Sequence, residues 1–421
     1  MSLLKSLLCA VMLTSVLLCR GTGVDTRQAI FDPSFRTLTV TAAGDLMAPP
    51  VIRLNSNDRI AVSFDEIGDD YSFLQYRLVH CNADWQPSAL VESEYLESFN
   101  VSDIDDYAFS SNTFVHFVNY RFEIPSEGMA PLVSGNYLAQ IYRQEDPDNV
   151  LLQVRFSVSE GAVAVSGNAS GRTDRGFNTE WQQLALRLTS GSQKIQNPYQ
   201  DLIVNITQNG RPETTRRLTH PSRVEGNTVI LEHSPELIYP AGNEFRRFET
   251  VRITDPGMHV DSIRFGGSNY HVFLSPDEGR ADRSYSYDQT QRGRFVVRES
   301  NATDSDLGAD YVTVNFSLDF PEIMDADIYV DGELTGWRLS DSNRMRRDPA
   351  TGLYTLALPL KQGSYNYQYV VAPRGAAGGA FPSVIEGNHY ETRNEYLVEV
   401  FYRPVGSRAD RLLGYGVILS E

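Results

Sequence analysis

Cysteine is scarce in this chain: three in 421 residues, two of them, Cys9 and Cys19, inside the first 23. Beyond that segment only Cys81 remains, and a lone thiol cannot form an internal disulfide. An exported protein without disulfides fits a bacterial periplasm better than a disulfide-stapled extracellular scaffold. Cys81 then reads as a buried, inert thiol at a strand end. Basic residues are short as well, 37 Lys and Arg against 54 Asp and Glu, for a net charge of −17. That balance argues against nucleic acid and against charge-driven binding to anionic lipid. Long apolar runs are missing beyond the first 23 residues, so no transmembrane helix is expected there.

Chemistry-bearing patterns are absent too. The seven histidines (His80, His116, His220, His233, His259, His271 and His389) stand at no metal-ligand spacing with one another or with Cys or Glu. Gly-x-Ser-x-Gly does not occur. The glycines from Gly375 to Gly379 lack the Lys-Ser/Thr end of a phosphate loop. Asp103-Ile-Asp105-Asp106 lacks the alternating oxygen ligands, turn glycine and distal Glu of a calcium loop. A Ser-His-Asp triad assembles in space, not in sequence, so a hydrolase stays as a third reading. No catalytic residue, metal or cofactor is expected.

What is present begins with a leader. Lys5, the apolar run Leu7 to Leu18 and the small residues after Cys19 make residues 1–23 a secretory signal peptide. A lipoprotein signal acylated at Cys19 is the rival. Leu18 is larger than the residue such sites carry before the cysteine, which favours soluble release. Losing Lys5 and Arg20 leaves 35 basic against 54 acidic side chains, a net −19.

The rest is strand-forming. There are 22 Tyr and 20 Phe, and period-two runs recur along the chain. In Tyr71 to Phe99, Tyr76, Leu78 and His80 face one way before a polar corner at Cys81 to Asp84. From Thr113 to Ile124, Phe114, His116, Val118, Tyr120, Phe122 and Ile124 share a face. Tyr137 to Tyr142 and Val150 to Val158 form a hairpin, and Asn209-Gly210 is a tight turn. Ser300 to Asp310 reads as a linker. The fold expected is all-β: tandem immunoglobulin-like or early-set β-sandwiches with little helix, at 24–160, 161–305 and 306–421. In the last, Trp337 and the Tyr365-Asn-Tyr367-Gln-Tyr369 run resemble early-set modules found beside carbohydrate-binding domains. Core packing of Trp337 is favoured there. Sugar stacking by Trp337 and Tyr367, in a cell-envelope glycan-binding protein, is the alternative.

Several stretches together resemble the type IX secretion system plug protein family. They are His80-Cys81-Asn-Ala-Asp84-Trp85-Gln-Pro-Ser88, Glu94-Tyr-Leu96 with Phe99, Asp106-Tyr107 with Ser111-Asn-Thr113, Ser134-Gly135-Asn136-Tyr137-Leu138, Gln196-Asn-Pro198 with Gln208-Asn209, and Gly242-Asn243-Glu244-Phe245-Arg246. They arrive in family order over roughly residues 25 to 300. Ala241 stands where a second glycine is expected. The resemblance implies a periplasmic protein, peripheral to the outer membrane and without stable membrane insertion. Its implied role is to close the periplasmic mouth of the idle translocon barrel. It assigns no contact residues; the loops Glu66 to Asp70 and Ser126 to Pro131, at strand ends of the first domain, are candidates. The motif residues are expected to hold the fold: Trp85 as a core aromatic, Gly135 and Gly242 as turn formers, Arg246 as the partner of a buried carboxylate.

Overall fold

The structure, a computed structural model, describes residues 25–42, 44–191, 195–374 and 379–420. The leader at 1–23 and part of the Gly/Ala loop at 374–380 lie outside these. Among the described residues the chain is all-β, and its α-helices are single turns such as Glu92–Tyr95 and Ser383–Glu386.

Alternating strands build a first sandwich from one face of each sheet. One sheet runs, in spatial order, Ala29–Ile30, Asp146–Ser159, Gly135–Arg143, Leu74–Cys81 and Ser102–Asp103, with Val51–Arg53 parallel to Asp146–Ser159. The other runs Phe35–Ala42, Ile60–Ile67, Phe117–Ile124 and Asp106–Phe109. Phe35, Phe64, Tyr76, Leu78, Tyr120, Leu152 and Phe156 fill the space between. The expected hairpin is present as Gly135–Arg143 and Asp146–Ser159. The 113–124 run divides: the strand is Phe117–Ile124, and Phe114 and His116 lie exposed ahead of it.

A second sandwich packs Val163–Ser170, Trp181–Ser190, Thr228–Leu231 and Arg223–Glu225 against a sheet of Arg216–Leu218, Leu202–Gln208, Glu395–Tyr402 and Arg411–Leu419. Leu202 pairs with Tyr402 and Gln208 with Tyr396. The last two strands therefore complete the second sandwich, not the third, which corrects the expected boundaries 161–305 and 306–421. The third sandwich is an insertion. Arg246–Glu249 and Phe295–Val297 both pair with Gly363–Pro373, and Tyr270–Leu274 pairs with Tyr311–Asp319. Strands on both sides of residue 305 thus share one core, with Phe248, Val272, Phe295, Val314, Phe316 and Tyr365 in it. The physical reason for the difference is plain: side-chain alternation marks a strand's buried face and carries nothing about which strand it pairs with.

The stretch read as a linker, Ser300 to Asp310, is docked on the first sandwich. The Asp310 carboxylate accepts from the Phe114 and Val115 amides at 2.7 and 3.0 Å. Arg121 pairs with Asp304 at 2.8 Å and with Asp306 at 3.4 Å. Beside it, Asp65 of the first sandwich meets Lys361 of the third at 2.6 Å, each side chain 1% exposed. Tyr311 donates to the same Asp65 oxygen at 2.6 Å, and Asn119 to the other at 2.8 Å. Lys361 also donates to the Asp306 carbonyl and sits 4.0 Å from the centre of the Phe117 ring. Burial pushes the Asp65 carboxyl up and the Lys361 ammonium down; each charge opposes the shift of the other.

Removing one member of such a pair leaves the other as an uncompensated buried charge. Lys361→Met is expected to lose about 3–5 kcal/mol of stability in urea unfolding. The double variant Asp65→Leu/Lys361→Met should lose clearly less than the two single losses added together. Additive losses would show that the two side chains act independently.

Candidate interaction surface and the joints behind it

His80 and Cys81 end the strand Leu74–Cys81 and stand opposite Tyr137 and Asn136. The His80 ring is held by the Ser88 hydroxyl at Nδ1 (2.8 Å) and the Ser134 carbonyl at Nε2 (3.2 Å), against the edge of Tyr137. Burial pushes its pKa down, so the ring is neutral. A carbonyl, not a carboxylate, aligns it. Gly135 is required here: at φ +144° it is in a region suited to glycine, and a Cβ would stand 2.4 Å from His80 Nε2. Burial pushes the Cys81 thiol up to about 12, which leaves it without thiolate character.

The corner that follows is a joint to the second sandwich. Asn205 donates to the Ala83 carbonyl (2.7 Å), and the Ala83 amide donates to Asp410 (2.9 Å). Asn136 donates to the Asn82 carbonyl, and its Oδ1 accepts from Ser157 at 2.8 Å. Ser157 also meets Glu399 at 3.2 Å. Burial pushes Glu399 up to about 7, against its contact with Ser157 and the attraction of Arg155. A protonated Glu399 can donate to Ser157, which then donates to Asn136. Asp84 is exposed and caps the local turn by accepting from the Gln86 amide at 3.0 Å. Trp85 is not a core aromatic. It is half-buried at φ +65°, with the Arg155 guanidinium 4.2 Å from the centre of its ring. The corner turns the chain outward before Trp85, so the indole covers the joint and not the sandwich interior.

The second motif is a joint as well, where the chain passes from the second sandwich into the third. Gly242 takes φ +64°, and its amide donates to Asn388 at 2.9 Å. Ala241, where glycine was expected, is buried and donates to the Glu180 carbonyl. Asn243 donates to the Glu386 carbonyl at 2.8 Å. Glu244 accepts from the Tyr285 hydroxyl and the Arg393 amide, both at 2.9 Å. Phe245 packs edge-on against Trp337 at 6.0 Å. Arg246 is paired with Glu386 at 3.0 Å and Asp277 at 2.6 Å. Burial works against its charge; Glu386 and Asp277 outweigh that and hold its pKa above the usual arginine value.

The residues considered for sugar stacking do not form a platform. Tyr367 is fully buried among Phe248, Phe316 and Tyr369, and its hydroxyl donates to Asp277 at 2.7 Å. Trp337 is half-buried, wedged against Phe245 with Arg211 of the second sandwich over its ring at 5.8 Å. An open groove of about 460 Å³ on the third sandwich gathers Arg344, Arg347 and Arg374 with Glu322 and Asp327. Asp327 already pairs with Arg374 and Arg344 at 2.8 and 3.6 Å. Among the described residues, no group of three or more His, Cys, Asp and Glu is placed to hold a metal ion.

The outer surface of the first sandwich is different. Its core stack of Phe64 on Tyr120 (5.4 Å) continues to Tyr107 (5.9 Å), then Tyr71 (4.7 Å), then Phe73 (5.3 Å). The ladder leaves the core at the margin of the sandwich, where Tyr71, Phe73, Tyr107 and Phe109 are exposed. Phe114, in the loop after the strand Asp106–Phe109, is also exposed and packs on Phe265 and Tyr270 of the third sandwich. Asp69 and Asp70, in the first of the two candidate loops, adjoin this ladder in sequence and are exposed. Exposed aromatics gathered in one place mark interaction sites. Sequence reading took Tyr107 only as part of a family motif, and nothing local to it shows that it stacks on Tyr71, 36 residues earlier.

The family described as "Type 9 secretion system plug protein 1st domain" matches residues 35–160. A hypothetical protein from Parabacteroides merdae ATCC 43184, solved by crystallography, is 37% identical with a TM-score of 0.91, over 94% of this chain and 99% of that one. Dimeric latent PorU from Porphyromonas gingivalis aligns at 8% identity and a TM-score of 0.15, over 92% of this chain and 34% of its own, a likeness too slight to carry argument. No curated protein matches.

Glu399 gives the first joint a pH dependence. Its folded pKa of about 7 lies above an unfolded value of about 4.3. The folded state therefore binds the extra proton between those values, and this contribution to stability is complete at low pH and lost as pH rises through 7. Glu399→Gln is expected to match the wild type near pH 4 and to exceed it by on the order of 2 kcal/mol at pH 8. Parallel stability–pH curves for the two proteins would contradict this.

Proposed function

Because the chain belongs to the type 9 secretion system plug protein family, we propose that it closes the periplasmic opening of that system's outer-membrane translocon barrel while no cargo is engaged. The observation that carries the reading is the family match over residues 35–160. The architecture supports it. Closing a pore requires area and a fixed shape, not reactive groups, and three sandwiches joined through buried polar contacts supply both. No helix among the described residues is long and apolar enough to cross a membrane, which is consistent with a protein that meets the barrel from outside the bilayer. The acidic balance favours a charged, separable contact over an obligate apolar one. In this reading the protein resides in the periplasm, peripheral to the outer membrane.

Deletion of the gene from a strain that carries the secretion system is the direct test. The strain is expected to become sensitive to large antibiotics that an intact outer membrane excludes, and to recover when the gene is restored. Unchanged sensitivity would remove the sealing role.

A further inference from the structure

We propose that the strand Asp106–Phe109 is an open docking edge, completed by an extended, Lys/Arg-bearing segment of the translocon that adds to it as a further strand. The proposal rests on the function proposed above and names the surface and the chemistry of the contact.

Three observations converge on this edge. The first is topological. Asp106–Phe109 is the outermost strand of its sheet, paired on one side with Phe117–Ile124. Among the described residues no strand pairs with its other side; just beyond the strand the Ser111 amide donates to the Leu307 carbonyl at 2.9 Å, so the open stretch ends at Phe109. Natural sheets guard such edges with short strands, charged side chains, proline, a bulge or a covering loop; this strand is four residues long and begins on Asp106. Asp106-Tyr107-Ala108-Phe109 contains neither lysine nor proline, and its register with Phe117–Ile124 is unbroken.

The second is apolar. The ladder Tyr120, Tyr107, Tyr71, Phe73 runs out of the core at this margin. Tyr107 and Phe109 are two residues apart and lie on one face of the strand. An added strand would extend the sheet where the aromatic ladder reaches the surface, and its alternate apolar side chains would cover Tyr71, Tyr107 and Phe109. Main-chain hydrogen bonds would give such an addition affinity, and the aromatic margin would give it register.

The third is charge. Around the edge strand the exposed acids are Asp103, Asp105 and Asp106, and Arg121, opposite Asp106, is already engaged by Asp304 and Asp306. Asp105 and Asp106 flank the start of the edge strand, and both are exposed. A second copy of this chain would bring two sets of Asp105 and Asp106 to one edge with no basic residue between them, so a basic segment is the better-matched occupant. A segment carrying Lys or Arg meets carboxylates and exposed aromatic faces together, with cation–π contacts to Tyr71 and Phe73 available to it. Such a contact associates quickly, weakens with salt and comes apart without unfolding either partner.

The test uses full-length tagged protein and detergent-solubilised outer membrane, with the translocon barrel identified by mass spectrometry. Wild-type protein is expected to capture the barrel, and capture should fall as salt is raised from about 0.05 to about 0.5 M. Phe73→Lys/Phe109→Lys, and separately Asp105→Lys/Asp106→Lys, should each reduce capture about tenfold or more with melting temperatures unchanged. A photo-crosslinking residue at Phe109 should label the barrel, whereas one at Phe177, a more exposed aromatic on the second sandwich, should not. If the wild type captures the barrel but both charge variants capture it equally well and position 109 gives no crosslink, the docking edge is wrong and the plug function stands. If the wild type captures no barrel, both fall together.

Discussion

The relation between the sandwiches depends on charge buried where they meet, and the Asp65–Lys361 pair is the clearest case. A lysine that is 1% exposed is tolerable only with its partner, and here the partner belongs to a different sandwich. The pair, the Tyr311 hydroxyl and the Asn119 amide must all find Asp65 at hydrogen-bond distance. A hydrogen bond tolerates a few tenths of an ångström and a limited angle. Tilting the first sandwich against the third would therefore break several bonds at once and leave a charge stranded. An apolar contact of the same size could slide at less cost.

The same reasoning extends around the molecule. The first and second sandwiches meet through Asn136, Ser157 and Glu399, and through Ala83 with Asn205 and Asp410. The second and third meet where the chain leaves and re-enters the second sandwich. There the two crossings are tied to each other: His389 donates to the Gly242 carbonyl, and Asn394 donates to the Ala241 carbonyl and to Gln182. Arg292 and Arg294 of the third sandwich both pair with Glu395 of the second. Each sandwich is thus fixed to both others, and the closed arrangement resists the hinge motions that a linear chain of domains would allow.

Much of this was legible in the sequence and some of it could not have been. Alternation showed the strands and the hairpin, whose turn falls at Gln144-Glu145. The placement of Glu395–Tyr402 beside Leu202–Gln208 left no local trace, because a half-buried strand looks the same whichever sheet receives it. Lys361 reads as the polar end of Tyr354–Lys361, and Asp65 as the start of an acidic turn. Nothing in either residue announces that it is buried. Trp85 misled for a related reason: a tryptophan at a strand end is a fair core candidate, and only its positive φ and the Arg155 guanidinium beside it show that it covers a joint.

The motifs and the exposed ladder therefore serve opposite ends of one mechanical problem. A body that closes an opening by occupying it must be stiffer within itself than it is adherent to its seat, or removing it would deform it. The polar groups at the joints are shielded from water, where each is worth more and salt does not screen it. The acidic and aromatic residues around Tyr107 are in water, where ionic contacts are weak and readily exchanged. The stretches His80 to Trp85 and Gly242 to Arg246 lie at the first kind of place. The residues at the joints preserve the shape of the three sandwiches, and the exposed aromatics at the margin are ones the core does not require.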